Sequence, residues 1–362
     1  MRKEKVDTFQ LLALIILFEL GTAMIVGVGL QARQAAWLTV IISMVGGALL
    51  YLLYHYLYNQ FPTLSFIEYL PEILGKYMGW TLGLVYVIYF IYLSARVLRD
   101  FGDLLTNAYY NYTPVFVVNC IFIFTVFYLL SKGIEVLARV GEIMFGIYML
   151  LFLIVKILMF SSGIVKFDLL FPILPNGWTP VLKSVFPSGV TFPFGELIAF
   201  LMILPFYNQQ KKAKKIGLLA ILISGILLSF SIGLDTAVIG PDSMQRSTFP
   251  TLEAISKIQI GFLQHLDVFF LFKLIIANFF KLAIFYYAAT FGAAKLYKLP
   301  NDKSLLFPIG IIILFSSLII AGNFAEHIKI GLDFVPLYIH LPIQIGIPFL
   351  LVTIVFIRKK IN

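Results

Sequence analysis

Apolar runs of helix length, separated by short polar connections, dominate the chain. They fall near 9–30, 35–58, 80–105, 115–131, 140–161, 187–207, 215–239, 265–294, 304–322 and 334–357. A bilayer core takes roughly 20 helical residues to cross, and a helix satisfies its own backbone hydrogen bonds there. Ten such runs predict an all-α polytopic membrane protein with ten transmembrane helices. An even number of crossings puts both termini on one side. The first run carries Glu19 inside it and lacks a small-x-small cleavage pattern, so it is expected to be retained as span 1. Composition agrees: of 362 residues, 60% are hydrophobic and 12% charged, against roughly half and a quarter in a soluble domain. A lone cysteine, Cys120, excludes an intrachain disulfide framework.

The formal charge of +9 raises the question of a polyanionic partner. Placement answers it. One set of connections holds Arg2, Lys3, Lys5, Lys76, Lys132, Arg139, Lys211, Lys212, Lys214, Lys215, Lys295, Lys298, Lys303, Arg358, Lys359 and Lys360. The other holds Arg33, Lys166, Lys183, Arg246, Lys257 and Lys329. This asymmetry predicts cytoplasmic termini. The cluster at 210–215 reads as a topology anchor, with a lipid headgroup as its alternative partner. Nucleic acid is not expected.

The ten runs divide into two fives. Phe61-Pro62-Thr63-Leu64 recurs as Phe249-Pro250-Thr251-Leu252, each between the second and third runs of its half. Both copies predict a short surface helix with Pro62 or Pro250 near its start. The leading run of each half sets a glutamate near a glycine: Glu19 and Gly21 in one, Gly195 and Glu196 in the other. Five is odd, so the second half enters the membrane from the opposite face. The expected architecture is a 5+5 inverted repeat, repeat one about 9–161 and repeat two about 187–357 of a single transmembrane domain, with helices 1 and 6 broken. A break in hydrocarbon leaves backbone amides and carbonyls that a ligand can satisfy. Amide ends suit a carboxylate and carbonyl ends an ammonium, so an amino acid fits the pair of breaks.

Charges within the spans point to function. Glu196 sits at the second break, as a ligand or gate contact or as a cap on unwound amides. Glu19 lies just before the first break, as a ligand, proton or cation contact or as a partner for an internal lysine. Lys281, mid-span in run eight, has Glu19 or Asp235 as candidate partners. Lys156 and Lys273 lie near span ends, where long side chains snorkel. Arg96, Arg99, Asp100 and Asp103 share one helical face by spacing, with Arg96 and Asp100 an oppositely charged i,i+4 pair. This reads as a self-neutralised stripe in an outer vestibule, with gating contacts to span 6 as the alternative. His55, His265, His327 and His340 show no ligand spacing. No metal site, cofactor motif or catalytic constellation is found, and an enzyme is not expected.

Taken together, Asp7-Thr8-Phe9-Gln10, the glycine-broken first span, residues 61–70, Phe194-Gly195-Glu196 and the lysine-rich loop resemble the B subunits of bacterial spore germinant receptors. These belong to the amino acid–polyamine–organocation (APC) transporter superfamily, with its LeuT-like fold. The resemblance spans essentially the whole chain. It implies a nutrient-sensing subunit that works with receptor A and C subunits in the spore inner membrane and triggers germination. It implies a small-molecule germinant, with an amino acid expected, bound between spans 1, 3, 6 and 8. Carried over, the ligand site comprises Gly21, Thr22, Ala23, Leu93, Phe194, Gly195, Glu196 and Phe280, with Glu19, Arg96, Arg99, Asp100 and Lys281 coupling or gating. Sodium-coupled members hold a cation between spans 1 and 8, a place the Lys281 ammonium can take. The alternatives are a proton-coupled or facilitative amino-acid transporter and an ion or water channel subunit.

Overall fold

Ten helical spans cross the molecule in the computed structural model, which describes residues 5–259 and 266–361. Arg2, Lys3 and His265 lie outside the described residues. Among the described residues, nine spans are long and apolar enough to cross a bilayer: span 1 (Thr8–Val26), span 2 (Leu30–Gln60), span 3 (Lys76–Ala108), span 5 (Ile134–Ser161), span 6 (Thr179–Met202), span 7 (Gln210–Ile239), span 8 (Asp267–Leu296), span 9 (Asp302–Ile319) and span 10 (Pro336–Lys359). The shorter apolar helix Val115–Ser131 is span 4. Span 6 starts eight residues before the apolar run that predicts it, because Thr179–Ser184 adds a polar first turn.

Packing follows an exchange of each span with the one five later. Span 3 packs on span 8 and span 2 on span 7. Span 1 touches spans 5 and 7, as span 6 touches spans 10 and 2. Span 4 meets span 8, as span 9 meets span 3. The short helices obey the same rule: Phe66–Leu74 lies against the end of span 6, and Pro250–Ser256 against the end of span 1.

The two short helices differ at their starts. Phe61 and Phe249 share one backbone conformation, with φ near −137° and −133°. Pro250 then begins its helix directly, at a position where a missing amide costs nothing. The Pro62 copy makes a turn first, and its helix begins at Phe66 rather than at the proline. There Ser65 and Glu68 form a capping box, each satisfying an amide of the other. Phe66, Ile67, Tyr69, Leu70 and Ile73 of this helix are buried, whereas Glu72 is exposed. Gly75, at φ 82°, turns the chain into span 3.

The face that carries the N-terminus is sealed by backbone. Val6 donates to the Phe206 carbonyl at 2.9 Å, and Asn208 donates to Val6 at 3.1 Å. The hydroxyls of Thr8 and Tyr207 meet at 3.0 Å, and Tyr58 donates to the Leu204 carbonyl at 3.1 Å. Lys295 reaches Glu68 at 2.9 Å, tying span 8 to the first short helix.

Candidate functional site

Both leading spans are interrupted within their apolar length. Span 1 is α-helical from Thr8 to Leu20, breaks at Gly21 (φ −45°, ψ −107°) and resumes over Ala23–Val26. Span 6 changes pitch at Phe192-Pro193 and continues as a tight 3₁₀ segment, Phe194–Met202. One side chain joins the two breaks. The stem of Lys281 from span 8 covers Gly21, where an added Cβ would lie 2.9 Å from Lys281 Cδ. Its ammonium sits 2.6 Å from the Glu196 carboxylate, with both side chains at most 4% exposed. The rings of Phe192 and Phe18 flank it, 4.6 and 5.3 Å from Nζ. The partner of Lys281 is therefore Glu196, not Glu19 or Asp235. Sequence distance hid this pair: 85 residues separate two groups that the span 6 break and the span 8 face bring together.

Beside the pair lies a cavity of about 40 Å³, bordered by Thr22, Leu93, Arg96, Glu196, Lys281 and His340. That is room for roughly two or three water molecules. Asp100 also borders it. The other carried-over positions do not. Phe194 packs on Gly47 of span 2, and Gly195 abuts Gln344 of span 10. Phe280 approaches Gly141 of span 5, because its helical phase turns it away from Lys281. Gly21 and Ala23 are buried behind the lining.

Above the cavity, on the face opposite the N-terminus, opens a vestibule of about 970 Å³. Val26, Ile328 and Leu332 border both spaces, so only a thin apolar septum divides them. Ile328 and Leu332 belong to a short helical segment, Phe324–Phe334, that bridges spans 9 and 10.

The charged stripe on span 3 splits in two. Arg99 pairs with Asp103 at 2.6 Å and donates to the carbonyls of Leu318 and Ala321, so this half faces span 9. Arg96 and Asp100 face the cavity, yet they are not paired with each other. His327 donates to Asp100 at 2.8 Å, and Arg96 donates to the His327 carbonyl at 3.0 Å and to Tyr92 at 3.3 Å. The two contacts to His327 fix the bridging segment to span 3.

Sequence reasoning missed the histidines. His327, in the segment between spans 9 and 10, and His340, near the start of span 10, are both buried. A hydrogen-bonded chain runs from His340 into span 6. The Gln344 amide donates to Tyr89 at 2.7 Å, which leaves the Tyr89 hydroxyl to donate to His340 Nδ1 at 2.7 Å. Tyr54 donates to the carbonyls of Gln344 and Gly195, at 2.8 and 3.0 Å. The available signal was spacing: His340 and Gln344 are one turn apart, as are Tyr86 and Phe90 around Tyr89.

The remaining buried charges lie apart from the cavity. Glu19 is fully buried and accepts from the Ser224 hydroxyl of span 7. Lys156 does not snorkel: it is 4% exposed and reaches Asp235 at 3.4 Å. Lys273 is also inside, 5.1 Å from the Phe152 ring centroid and 5.9 Å from that of Tyr148. All are enclosed within the bundle, where Glu19 Oε1 and Asp235 Oδ2 find no hydrogen-bond partner among the described residues.

Comparison with known proteins identifies relatives in sequence and in fold. A family model described as "Spore germination protein" matches residues 5–325. Spore germination protein KB of Bacillus subtilis is 40% identical over 99% of this chain and 97% of its own length. Spore germination protein A2 of the same organism is 24% identical over 99% and 97%. Spore germination protein XB of Bacillus anthracis is 25% identical over 58% of each chain. Among solved structures, a nucleobase-cation-symport-1 family transporter, in a closed conformation with bromovinylhydantoin bound, superposes with a TM-score of 0.71. It shares 13% identity, covering 91% of this chain and 75% of its own. The fold is thus that of the ten-span, inverted-repeat transporters, and the chain is an integral membrane protein.

Proposed function

Because this chain belongs to the spore germination protein family, we propose that it is the nutrient-sensing subunit of a spore germinant receptor, binding a small molecule, expected to be an amino acid, in the cavity between the broken spans. The single observation that carries this reading is the placement of Lys281. It holds both breaks from span 8 and borders a polar cavity just below an open vestibule. In a transporter fold that is where a solute enters and is enclosed.

The proposed mechanism is a population shift. A ligand arriving through the vestibule displaces the septum of Val26, Ile328 and Leu332, spreads the small cavity and then draws the Phe324–Phe334 segment down over itself. The sealed N-terminal face holds the opposite side shut meanwhile, so binding energy goes into one rearrangement. The bias of basic residues supports cytoplasmic termini, which makes the vestibule face the outer one. In this reading the protein resides in the spore inner membrane with receptor A and C subunits, to which the rearrangement is passed. Gly21, Thr22, Ala23, Leu93, Phe194, Gly195, Glu196 and Phe280 remain the proposed ligand region, Thr22, Leu93 and Glu196 in direct contact and the others as its backing. Glu19, Arg99 and Lys281 act on the states of the breaks and span 3.

A screen of amino acids, nucleosides and sugars for thermal stabilisation of the purified protein tests this. A ligand that raises the unfolding midpoint in proportion to the logarithm of its concentration supports the reading. A protein that takes up labelled amino acid into liposomes when isolated is instead a transporter.

A further inference from the structure

We infer that the ligand carries a carboxylate and that Arg96 of span 3, not the backbone at the two breaks, is its anchor. The inference rests on the sensing reading above and names its ligand chemistry. Among the described residues, Arg99 has Asp103 at 2.6 Å, Lys281 has Glu196 at 2.6 Å and Lys156 has Asp235 at 3.4 Å. Lys273 lies among aromatic rings, away from the cavity. Arg96 alone borders the cavity without a carboxylate partner.

Its hydrogen-bond acceptors are neutral: the His327 carbonyl at 3.0 Å and the Tyr92 hydroxyl at 3.3 Å. A guanidinium presents five N–H donors in a planar fork. Two neutral acceptors leave most of that fork unspent in a half-buried, low-dielectric place. The natural complement is a planar anion, which a guanidinium binds through two parallel, charge-assisted hydrogen bonds. Asp100, one turn on, is not that anion, because the His327 imidazole already holds it at 2.8 Å. Glu196 is held by Lys281.

The same geometry gives the ligand's orientation. A carboxylate on Arg96 lies at the top of the cavity, directly beneath the Phe324–Phe334 segment. An ammonium or hydroxyl on the same molecule then points down toward Glu196 and Thr22. Gly331 of the segment has no side chain where Arg96 lies; an added Cβ there would be 2.1 Å from a guanidinium nitrogen. The segment therefore rests directly on Arg96, and an anion bound at the fork is felt by the segment that closes the vestibule.

The test uses the full-length purified protein and four probe sets: the common L-amino acids, their C-terminal amides, the corresponding deaminated acids, and neutral sugars. Stabilisation is measured on wild type, Arg96→Met and Arg96→Lys. The expected result is that carboxylate probes stabilise wild type, while the matching amides bind about ten- to a hundred-fold more weakly. Arg96→Met should lose that preference and Arg96→Lys should keep part of it. Amides or sugars that stabilise wild type as well as the acids overturn the inference and leave the sensing reading intact. The same holds if Arg96→Met keeps its preference for acids. Silence of wild type toward all four sets overturns both.

Discussion

At the residue scale, the Lys281–Glu196 pair sets the clearest expectation. Both groups are buried, so removing one leaves an uncompensated charge in a medium that solvates it poorly. Lys281→Met should destabilise the protein by about 3–5 kcal/mol, and adding Glu196→Gln should recover most of the loss. Unfolding midpoints of the two single variants and the double variant measure this. Independent, additive losses would mean that the groups do not act as a pair. A response to nutrient that survives Lys281→Met unchanged would end the idea that its ammonium stands where related proteins hold a cation. The glycines make a second case. A Cβ at Gly195 would stand 2.2 Å from Gln344 Oε1 and 3.2 Å from the Val190 carbonyl. Gln344 is not free to retreat, since its amide holds Tyr89. Gly195→Ala should therefore lower stability by about 1–3 kcal/mol. Gly21→Ala meets Lys281 Cδ and Cβ at 2.9 and 3.0 Å and the Ala277 carbonyl at 3.2 Å, and Lys281 is itself held by Glu196, so it should cost a similar amount. Leucine at either position should abolish or redirect the nutrient response while the protein still accumulates in the membrane. Normal responses from both leucine variants would misplace the pocket.

At the element scale, the first short helix shows how a connection is made rigid. Half-burial would raise the Glu68 carboxyl, but hydrogen bonds from Ser65 and the Lys295 ammonium outweigh it and hold the group below the ordinary carboxylate range. A lowered native pKa means the folded state binds its proton less readily than the unfolded chain. The stabilisation is then complete above the unfolded value of about 4.3 and fades as pH falls through the lower native one. Thermal midpoints between pH 7 and pH 3 should fall less steeply in Glu68→Gln than in wild type. Equal slopes would remove Glu68 from the account. Elements were also where the sequence was easiest to read. Hydrocarbon thickness sets span length, so spans followed from apolar runs alone. The Phe-Pro-Thr-Leu repeat correctly marked two equivalent short helices. It misjudged the start of the first, because a Ser65–Glu68 capping box outcompetes the proline as a nucleus. The span 3 stripe was legible as a face, but not as two faces. A helix turns by about 100° per residue, so Arg96 and Asp100 diverge from Arg99 and Asp103 enough to meet different neighbours.

At the scale of the whole molecule, the asymmetry between the two faces makes the conformational prediction. The N-terminal face is closed by paired backbone, whereas the opposite face is closed by three apolar side chains under an open vestibule. With Cys120 replaced by serine, a cysteine at Leu332 should react with a polar thiol reagent added from the vestibule face. A bound nutrient should slow that reaction by at least several-fold. A cysteine at Val6, fully buried in the seal, should stay unreactive in both conditions. Equal Leu332→Cys labelling with and without nutrient would mean that the Phe324–Phe334 segment does not close.

The sequence by itself determined what depends on composition and order along the chain. Bilayer thickness dictates the number of spans, charge asymmetry predicts their orientation, and an odd-numbered repeat makes the halves inverted. Gly21 marked the break of span 1, because a helix interrupted in hydrocarbon needs special residues, whereas the break of span 6 falls at Phe192-Pro193, just before the Gly195-Glu196 pair that the sequence singled out. Partnership is another matter. Which carboxylate Lys281 finds, that Lys156 and Lys273 lie inside, that His327 takes Asp100 from Arg96, and that Phe280 turns away all depend on the rotation and depth of one helix against another. Those quantities arise from side-chain packing among spans distant in sequence, so only the tertiary structure decides them.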